Sequence, residues 1–519
     1  MSGQPKKILI RGVNWIGDAV LTIPAIKSVR KAFPGSHISL LIKPWVSGVF
    51  KENRDIDEII FYEKSHESFS GKLELAKKLR QEKFDIAILL QNAFDAAFIT
   101  WLARIPERIG YQRDMRGFLL TKTVPLNKDV LKKHQLYYYL DLLQSAGIET
   151  SDIQPYIYLT DDERECARNT ISSSFADNHT PLVGINPGAT FGSAKRWPAE
   201  RFAWLTDRII NELNGRVIIF GGPSEVQIAT EIVEIAESKT TEDGGRILMM
   251  AGKTGLRELS ALISECDTFI SNDSGPMHIA AALLMPIIAI FGSTNRAATG
   301  PFGQPHKVIS KNLPCAPCMK RECPEKHLRC MTSITADEVF AALKEMLPQK
   351  KAAFLDRDGT IMEDKNYLNK FDEIEIFPEA KESLQKLKDS GFKLIGITNQ
   401  SGIARGIVDK DFVIKSNLYL KDKLGIDDFY YCPHHPDENC ACRKPEPMLT
   451  LIARIKHMIK LKDSYVIGDK ESDVLLAEKI GGTGILLSSG TVKETSASYL
   501  AKDLSDAVEW ILSEEKNKL

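Results

Sequence analysis

Short apolar runs alternate with helical patterns along the whole of this 519-residue chain. The runs are rich in β-branched residues and end near Gly, Asn, Asp or Lys, and helical patterns such as Ala25–Phe33 and Ala199–Leu213 lie between them. Those that we interpret as strands include KKILIRG, HISLLIK, DIAILLQ, PLVGINPG, GRVIIFGG, DTFISND and PIIAIFG. Such alternation predicts an α/β fold of parallel, doubly wound sheets with helices on both faces. Functional side chains are therefore expected directly after the apolar runs, where such sheets bind ligands.

Two changes of pattern divide the chain into three predicted domains. The helical stretch DVLKKHQLYYYLDLLQSAGIETSDIQP leads into a polar connection, and a new series of strands begins at Pro181. In EMLPQKKAAFLDRD a helix ends, Pro348 and basic residues follow, and a fresh strand starts. We therefore predict an N-terminal domain at residues 1–170, a second domain at 171–348 and a third at 351–519.

The composition indicates a soluble globular protein and argues against two classes of function. The formal net charge is -1, so no global field attracts nucleic acid. The most apolar segment, residues 279–291, is too short to span a bilayer, and we recognise no signal peptide in the first residues. Seven of the nine cysteines fall in two clusters, which favours metal ligands or reduced thiols over disulfides. We therefore expect a cytoplasmic protein.

Acidic residues follow two of the apolar runs in the third domain. Asp356 and Asp358 follow AAFL, and Asp469 and Asp473 lie in SYVIGDKESD. The first carboxylate can attack phosphorus to form an aspartyl-phosphate, and the second can protonate the leaving oxygen. Because carboxylates repel a phosphate ester unless a hard cation is present, we predict Mg²⁺ held by Asp356, Asp358 and Asp469.

Phosphate-binding groups stand between these acids in the sequence. Thr398 and Asn399 end the run KLIGITN, where hydroxyl, amide and backbone N–H groups can hold a phosphoryl oxygen. Arg443 and Lys444 in CRKP add a guanidinium fork and a point charge. The four elements, taken in this order, resemble the haloacid-dehalogenase-like phosphatases over all of residues 351–519.

The stretch YYCPHHPDENCACRKP contains a candidate zinc loop. Cys432, His434, Cys440 and Cys442 place three thiols and one imidazole within eleven residues, which suits a tetrahedral zinc ion. Such an ion would hold together a loop with little apolar content. His435 is the alternative imidazole ligand, and a loop of reduced cysteines without metal is the alternative interpretation.

The zinc loop narrows the resemblance to the subgroup that contains D-glycero-D-manno-heptose 1,7-bisphosphate 7-phosphatase and histidinol-phosphatase. The stretches DRDGTIMEDKNYL and TNQSGIARG are similar to the heptose enzyme. The resemblance implies a capless Rossmann-like domain whose substrate contacts are Asp364, Tyr367, Thr398, Asn399, Gln400, Ser401, Arg443, Lys444 and Lys470. The alternatives are histidinol phosphate or another small phosphate ester as substrate, and a non-catalytic module that binds sugar phosphates for regulation.

The first two domains carry a second set of candidate site residues. Asp18 lies where a helix begins in RGVNWIGDAVLTIPA, either as a functional acid or simply as a helix cap. Lys195 in NPGATFGSAKRWP can oppose a diphosphate, and Glu225 in FGGPSE suits a ribose or base donor group. In FISNDSGPMHIAAAL, residues 273–275 open a helix whose N–H groups face an anion. These elements suggest a pocket for a nucleotide-diphosphate sugar that faces Asp18 across a cleft.

This set resembles the ADP-heptose:lipopolysaccharide heptosyltransferases, which have two-domain GT-B architecture, over residues 6–346. The matching stretches are IGDAVLTIPA, NDSGPMHIAAAL and PGATFGSAKRWP, of which the last is similar to the enzyme that adds the second heptose. The resemblance implies inverting transfer without a metal, with Asp18 as the base. The implied donor contacts are Lys195, Glu225, Asp273, Ser274, Gly275 and His278.

Four further cysteines lie in PCAPCMKRECPEKHLRCM. Cys315, Cys318, Cys323 and Cys330 form a C-x₂-C-x₄-C-x₆-C pattern. This pattern leaves a metal site and a loop of reduced thiols equally open.

Together the two resemblances imply a bifunctional enzyme of lipopolysaccharide core biosynthesis. Its partners would be ADP-heptose, a lipopolysaccharide inner-core acceptor and heptose bisphosphate. Contact with the inner membrane would be at most peripheral, through the lipid acceptor. The implied cofactors are Mg²⁺ and Zn²⁺ in the phosphatase, and none is required by the transferase.

Overall fold

A computed structural model describes residues 5–151, 153–177, 180–238, 245–303, 306–488 and 494–518. The chain forms two compact units, residues 1–346 and 347–519. Within the described residues, no helix is both long enough and apolar enough to cross a bilayer.

The first unit begins with a six-stranded parallel sheet. Its strands are β1 (Lys7–Arg11), β2 (His37–Ile42), β3 (Glu58–Phe61), β4 (Ile86–Leu89), β5 (Glu107–Tyr111) and β6 (Lys122–Val124), in the order β3-β2-β1-β4-β5-β6. Its helices are α1 (Ile16–Ala32), α2 (Phe69–Glu82), α3 (Phe94–Leu102), α4 (Gln135–Ser145) and α5 (Asp161–Ser174). The central strands are buried, as expected for a parallel sheet covered on both faces.

The second sheet of this unit has the same construction. Its strands are β7 (Leu182–Asn186), β8 (Arg216–Ile219), β9 (Ile247–Met249), β10 (Thr268–Asn272), β11 (Ile287–Phe291) and β12 (His306–Ser310), in the order β12-β11-β10-β7-β8-β9. Its helices are α6 (Ala199–Leu213), α7 (Val226–Glu237), α8 (Leu256–Ser264), α9 (Gly275–Ala282), α10 (Arg296–Thr299), α11 (Arg329–Thr332) and α12 (Ala336–Met346).

The second unit contains the third parallel sheet. Its strands are β13 (Ala352–Leu355), β14 (Lys393–Asn399), β15 (Asp428–Cys432), β16 (Tyr465–Gly468), β17 (Thr483–Leu487) and β18 (Tyr499–Ala501), in the order β15-β14-β13-β16-β17-β18. Its helices are α13 (Ala380–Asp389), α14 (Lys410–Leu424), α15 (Met448–His457), α16 (Glu471–Ile480) and α17 (Leu504–Asn517). The short connection from β13 to α13 leaves no room for a large cap domain.

The predicted fold class is confirmed, and one helix begins before the pattern that marks it in the sequence. All seven apolar runs quoted above for the first unit are strands, and α6 has the predicted bounds. Helix α1 begins at Ile16, close to the start predicted near Asp18 and well before the helical pattern Ala25–Phe33. The helical pattern is hidden further upstream, because residues 19–26 are all buried and show no polar face. Asp18 consequently lies inside the first turn, and the N-cap position of α1 is held by Trp15, whose side chain makes no capping hydrogen bond.

Two candidate active sites

Neighbouring strands of the third sheet bring a group of acidic side chains together. Asp356 follows β13 and Asp469 follows β16, which is paired directly with β13. One carboxylate oxygen each from Asp356, Asp469 and Asp473 lies within 4.8 Å of the others. The carboxyl ends of adjacent parallel strands thus create one acidic cluster.

Lys444 is the buried counter-charge of this cluster. Its Nζ lies 2.8 Å from Oδ1 of Asp356 and 2.6 Å from Oδ1 of Asp473. Burial lowers the pKa of Lys444, but the two carboxylates outweigh this effect and the pKa is raised. Burial also raises the pKa of Asp473 to about 6, opposed by Lys444 and reinforced by Asp356.

The carboxylate of Asp358 is held apart from the acidic cluster. Arg357, which is buried, donates from Nη2 to Oδ1 of Asp358 over 2.9 Å. Gln400 donates from Nε2 to the other oxygen over 2.8 Å. The structure therefore groups Asp473, rather than the predicted Asp358, with Asp356 and Asp469. The physical reason is that the guanidinium and amide groups orient the Asp358 side chain toward themselves.

The acidic cluster fits a divalent hard cation. Lys444 bridges Asp356 and Asp473, and Lys470 lies near both Asp469 and Asp364, so these four carboxylates face two ammonium groups and leave net negative charge in a partly buried position. Oδ1 of Asp469 is buried and accepts no hydrogen bond within the described part of the chain. Burial raises the pKa of Asp469. Lys470 acts to lower this pKa, and the nearby Asp356 acts to raise it further. Oxygen ligands and uncompensated charge are the conditions that Mg²⁺ requires.

A cavity of about 300 Å³ opens over the acids. Its lining includes all nine predicted substrate contacts, namely Asp364, Tyr367, Thr398, Asn399, Gln400, Ser401, Arg443, Lys444 and Lys470. Nη1 of Arg443 is buried without a hydrogen-bond partner among the described residues. Lys470 lies 3.3 Å from Asp364 and 3.7 Å from Asp469, so cations flank the acids on two sides.

The second cysteine cluster has the geometry of a tetrahedral site. Sγ of Cys440 lies 3.5 Å from the sulfurs of both Cys432 and Cys442, and Nδ1 of His434 lies 3.1 Å from Sγ of Cys442. A zinc ion with Zn–S bonds of about 2.3 Å requires sulfur separations close to these. His435 lies outside the group, because its Nδ1 accepts a hydrogen bond from the backbone of Asp437. These four residues therefore fit zinc, with His434 as the imidazole ligand.

In the first unit, Asp18 lines a separate cavity of about 230 Å³. The other lining residues are Val13, Asn14, Trp15, Leu90, Gln91, Asn92, Gln135 and Tyr139. Burial raises the pKa of Asp18 to about 6, with Lys195 opposing and Asp273 reinforcing the shift. Asp18 thus experiences the charges of two residues from the second sheet.

Lys195 is paired with a carboxylate at the end of β10. Its Nζ lies 2.5 Å from Oδ2 of Asp273. The same oxygen accepts hydrogen bonds from Thr294 over 2.6 Å and from Thr299 over 3.4 Å. Sequence reasoning missed both threonines, although Thr294 follows the predicted strand PIIAIFG and could have been found by the strand-end rule.

The starts of α1 and α9 are in close contact. A Cβ atom on Gly17 would lie 2.7 Å from Cδ2 of His278, and one on Gly275 would lie 3.0 Å from Cβ of Ile16. His278 is buried, which lowers its pKa to about 4. A side chain at either position would force these neighbours to move, so the two glycines favour the close approach of the helix that carries Asp18 to the helix after Ser274.

The two remaining donor-side residues lie in βα loops. Oε2 of the buried Glu225 accepts a hydrogen bond from the backbone of Gly222 over 2.7 Å. The hydroxyl of Ser274 lies 3.2 Å from Nδ2 of Asn186 and 3.0 Å from the hydroxyl of Ser271. Both side chains are thus anchored at the carboxyl edge of the second sheet.

The first cysteine cluster is less compact than the zinc loop. Cys330 is buried, Cys315 is exposed, and Sγ of Cys315 lies 4.0 Å from Nε2 of His327. In the part of the chain that the structure describes, this cluster is not among the groups with three ligand atoms within 4.8 Å. Both interpretations of Cys315, Cys318, Cys323 and Cys330 therefore stay open.

Comparisons with known proteins match the two parts of the chain to two different families. The sequence profile of glycosyltransferase family 9 (heptosyltransferase) matches residues 72–329, and a HAD-hydrolase-like profile matches residues 441–508. Lipooligosaccharide heptosyltransferase 2 of Haemophilus influenzae is 30% identical over 308 residues, which cover 58% of this chain and 88% of that protein.

Two further proteins extend the comparison. D-glycero-β-D-manno-heptose-1,7-bisphosphate 7-phosphatase of Helicobacter pylori is 41% identical over 175 residues, which cover 32% of this chain and 99% of that protein. The structure of E. coli ADP-heptose lps heptosyltransferase II is similar with a TM-score of 0.57 and 26% identity, over 66% of this chain and 98% of that one. The chain therefore belongs to glycosyltransferase family 9, the heptosyltransferases, in its first part and to the haloacid-dehalogenase-like heptose bisphosphate phosphatases in its second.

Proposed function

We propose that the first unit transfers heptose from ADP-heptose to a lipopolysaccharide inner-core acceptor, with inversion at the anomeric carbon. Residues 1–170 would bind the acceptor, and residues 171–348 would bind the donor. Residues 351–519 would remove the 7-phosphate of D-glycero-D-manno-heptose 1,7-bisphosphate. Since all nine cysteines are free, we also propose that the protein works in the reducing cytoplasm.

In the transferase, Asp18 would act as general base on the acceptor hydroxyl. A pKa of about 6 leaves this carboxylate ionised at neutral pH, yet more basic than an exposed aspartate. Lys195, held by Asp273, would stabilise the negative charge of the departing ADP. Backbone N–H groups after Ser274 would stabilise the same charge. Glu225 would accept a hydrogen bond from the ribose, and Gly275 and His278 would shape the pocket floor. These protein groups offset the charge of the diphosphate, so the transfer requires no metal.

In the phosphatase, Asp356 would attack phosphorus and carry the aspartyl-phosphate. Lys444 and the backbone N–H of Arg357 both bind Oδ1 of Asp356, which leaves Oδ2 as the attacking atom. Asp358, oriented by Arg357 and Gln400, would give a proton to the leaving oxygen. Asp356 and Asp469 would hold Mg²⁺, which supplies charge neutralisation for the phosphoryl group when bound.

The predicted substrate contacts would hold the sugar phosphate from the rim of the cavity. Arg443 has a buried donor with no partner among the described residues, which can bind a phosphate oxygen, and Lys470 is paired with Asp364. The zinc loop, with Cys432, His434, Cys440 and Cys442, would fix the position of Arg443 directly after it. Its zinc would be structural, since all four tetrahedral positions are taken by protein ligands.

The observation that carries this proposal is that each unit has its own cavity with at least one acidic residue in its lining, and that each unit belongs to a family whose relatives are named for heptose substrates. The experiment measures both activities of the full chain in two variants. Asp356→Asn should abolish phosphate release from heptose 1,7-bisphosphate and preserve heptosyl transfer, and Asp18→Asn should do the reverse. Histidinol phosphate serves as the comparison substrate. Loss of both activities in one well-folded variant, or faster hydrolysis of histidinol phosphate, would contradict the proposal.

A further inference from the structure

A continuous band of aromatic side chains lies on the surface of the first sheet's helices. We call Phe69, Phe94, Phe98, Trp101 and Phe118 the aromatic surface. Ring centroids of Phe69 and Phe98 are 6.5 Å apart, those of Phe98 and Trp101 are 6.1 Å apart, and those of Phe94 and Phe118 are 6.3 Å apart. The Phe94 and Phe98 rings, 6.0 Å apart, join these pairs into one band.

The aromatic surface is largely exposed, although the ring of Phe98 is partly buried and packs against the hydrophobic core. Phe69 is 67% exposed, Phe118 is 77% exposed and Trp101 is 46% exposed, and the neighbouring Met115 is 90% exposed. Single exposed apolar residues are common on proteins, but a contiguous patch of large aromatics marks a surface that contacts another apolar body. The exposed rings come from α2, from α3 and from the loop after β5, so they are held in place by three separate parts of the chain.

The chain that lines the cavity of Asp18 leads into the helix that carries part of the aromatic surface. Gln91 and Asn92 line that cavity and immediately precede α3, which begins at Phe94. Arg116, two residues before Phe118, is buried and donates to the carbonyl of Gln91 and, over 3.2 Å, to Oδ1 of Asn92. One side chain therefore connects the loop of the aromatic surface to the lining of the cavity.

The charge of this region favours an anionic partner. Apart from the buried Arg116, residues 69–118 contain eight Lys and Arg residues and six Asp and Glu residues, whereas the whole chain has a net charge of -1. Aromatic side chains concentrate at the boundary between lipid headgroups and acyl chains, and basic residues beside them are attracted to anionic lipid. Exposed aromatic side chains next to basic ones are typical of a surface that lies on a membrane, rather than of a segment that spans it.

We propose that the aromatic surface docks the protein on an anionic lipid bilayer and thereby presents a membrane-anchored acceptor to Asp18. This inference rests on the proposed transferase function, since a lipid-linked acceptor must reach the cavity from the plane of the membrane. Phe118, Phe69 and Trp101 insert among the headgroups, while the loop at residues 91–92 lies between the bilayer and Asp18.

The test compares vesicle binding by the full chain and two matched double variants. Trp101→Ser with Phe118→Ser removes two rings of the aromatic surface. The control, Trp204→Ser with Leu418→Ser, also removes one tryptophan and one further exposed apolar side chain, but elsewhere on the protein. Co-sedimentation uses vesicles of phosphatidylethanolamine with phosphatidylglycerol, and vesicles of phosphatidylcholine alone, neither of which contains acceptor.

We expect the wild-type chain and the control to bind the anionic vesicles, and the Trp101/Phe118 variant to bind at least ~10-fold more weakly. Binding to phosphatidylcholine should be weaker for every protein. Equal binding by the Trp101/Phe118 variant, or no vesicle binding by the wild-type chain, would overturn the proposal. Sedimentation velocity that showed a wild-type oligomer dissociated by this variant, without vesicle binding, would assign the surface to protein contact instead.

Parallel turnover assays separate this inference from the proposed function. The Trp101/Phe118 variant should transfer heptose normally to an acceptor freed of its acyl chains, and lose transfer only to acceptor embedded in vesicles. If the wild-type chain transferred no heptose to either acceptor but still bound the vesicles through these rings, the proposed transferase function would fail while the docking surface stood. A loss of transfer to both acceptors by a folded variant would instead refute the docking role.

Discussion

Nζ of Lys444 lies 2.8 Å from Oδ1 of Asp356, and both residues line the phosphatase cavity. The same ammonium group lies 2.6 Å from Asp473, so one buried cation bridges two carboxylates from different parts of the chain. Breaking a buried pair by removing one partner is costly, because the remaining charge stays buried without compensation. Lys444 therefore stabilises the lining of the cavity, and it places a positive charge where a phosphoryl group would bind.

We predict that Lys444→Gln lowers the rate of phosphate release by about 10²–10³-fold, the effect of losing one positioned charge-stabilising group. The variant should also melt at a lower temperature, since Asp356 and Asp473 then repel each other. Steady-state phosphate release and a thermal melt measure the two effects. Lys415→Gln, which removes an exposed lysine on α14, is the control and should change neither quantity. Normal phosphate release by a folded Lys444→Gln protein would show that this ammonium group has no part in catalysis.

The zinc loop leads to a second prediction, based on metal content. Full-length protein produced with zinc available should contain one zinc ion at Cys432, His434, Cys440 and Cys442, as measured by elemental analysis. Cys440→Ser should reduce that content and weaken use of the phosphatase substrate, because Arg443 follows Cys442 directly. Cys166→Ser removes an exposed thiol outside both clusters and serves as the control.

Because Cys315, Cys318, Cys323 and Cys330 could bind a metal as well, the difference between variants decides the site. Zinc content that is unchanged in Cys440→Ser would contradict the assignment to the zinc loop. Zinc lost from that variant but not from Cys166→Ser would support it.

The sequence was sufficient to predict the central strands and the acids that follow them. Strands β1, β7 and β13 are buried runs flanked by turn residues, so their pattern is unambiguous. The edge strands β3, β9 and β12 are short and only partly buried, and they lack the pattern of a fully buried strand. Their existence depends on the neighbouring strand that each one pairs with.

Side-chain direction is what the sequence could not supply at the phosphatase site. Asp358 is two residues from Asp356 in the sequence, and Asp473 is brought near Asp356 by the fold. The positions of these residues in the sequence cannot tell which of the two carboxylates points toward Asp356. The outcome depends on Arg357, Gln400 and Lys444, which contact these carboxylates from three different segments. The role of Asp273 as partner of Lys195 was missed for the same reason, since it requires two loops separated by many residues to meet.

The third prediction concerns Lys195 and its partner. Lys195→Ala should weaken binding of ADP-heptose by about 1.5–3 kcal/mol, the value of a hydrogen bond to a charged group. It should also lower thermal stability, because Asp273 loses its ammonium partner while it keeps its hydrogen bonds from Thr294 and Thr299. Calorimetric titration with ADP measures the first effect separately from turnover. Lys253→Ala is the control, and equal ADP affinity in both variants would show that Lys195 does not face the diphosphate.

The fourth prediction follows from the raised pKa of Asp18, which burial moves to about 6. As a base, Asp18 must be ionised, so kcat/KM for heptosyl transfer should fall as the pH drops below about 6 rather than below about 4. The free energy of unfolding changes with pH in the opposite direction to activity. A buried carboxyl group with a raised pKa binds its proton more tightly in the folded state than in the unfolded state. Ionisation of Asp18 should therefore destabilise the fold as the pH rises through about 4 to 6.

Asp18→Asn, a neutral side chain of nearly the same size, separates these two effects. At pH 8 the variant should melt at a higher temperature than the wild-type protein, because it avoids a buried charge. At pH 4 the two proteins should have similar melting temperatures, since Asp18 is then mostly protonated when folded and no charge remains to remove. Glu200→Gln, a charge change in the first turn of α6, controls for general electrostatic effects. A melting difference that stayed constant between pH 4 and pH 8 would show that the Asp18 carboxyl does not titrate in this range, and the assignment of Asp18 as a base with a pKa near 6 would have to be given up.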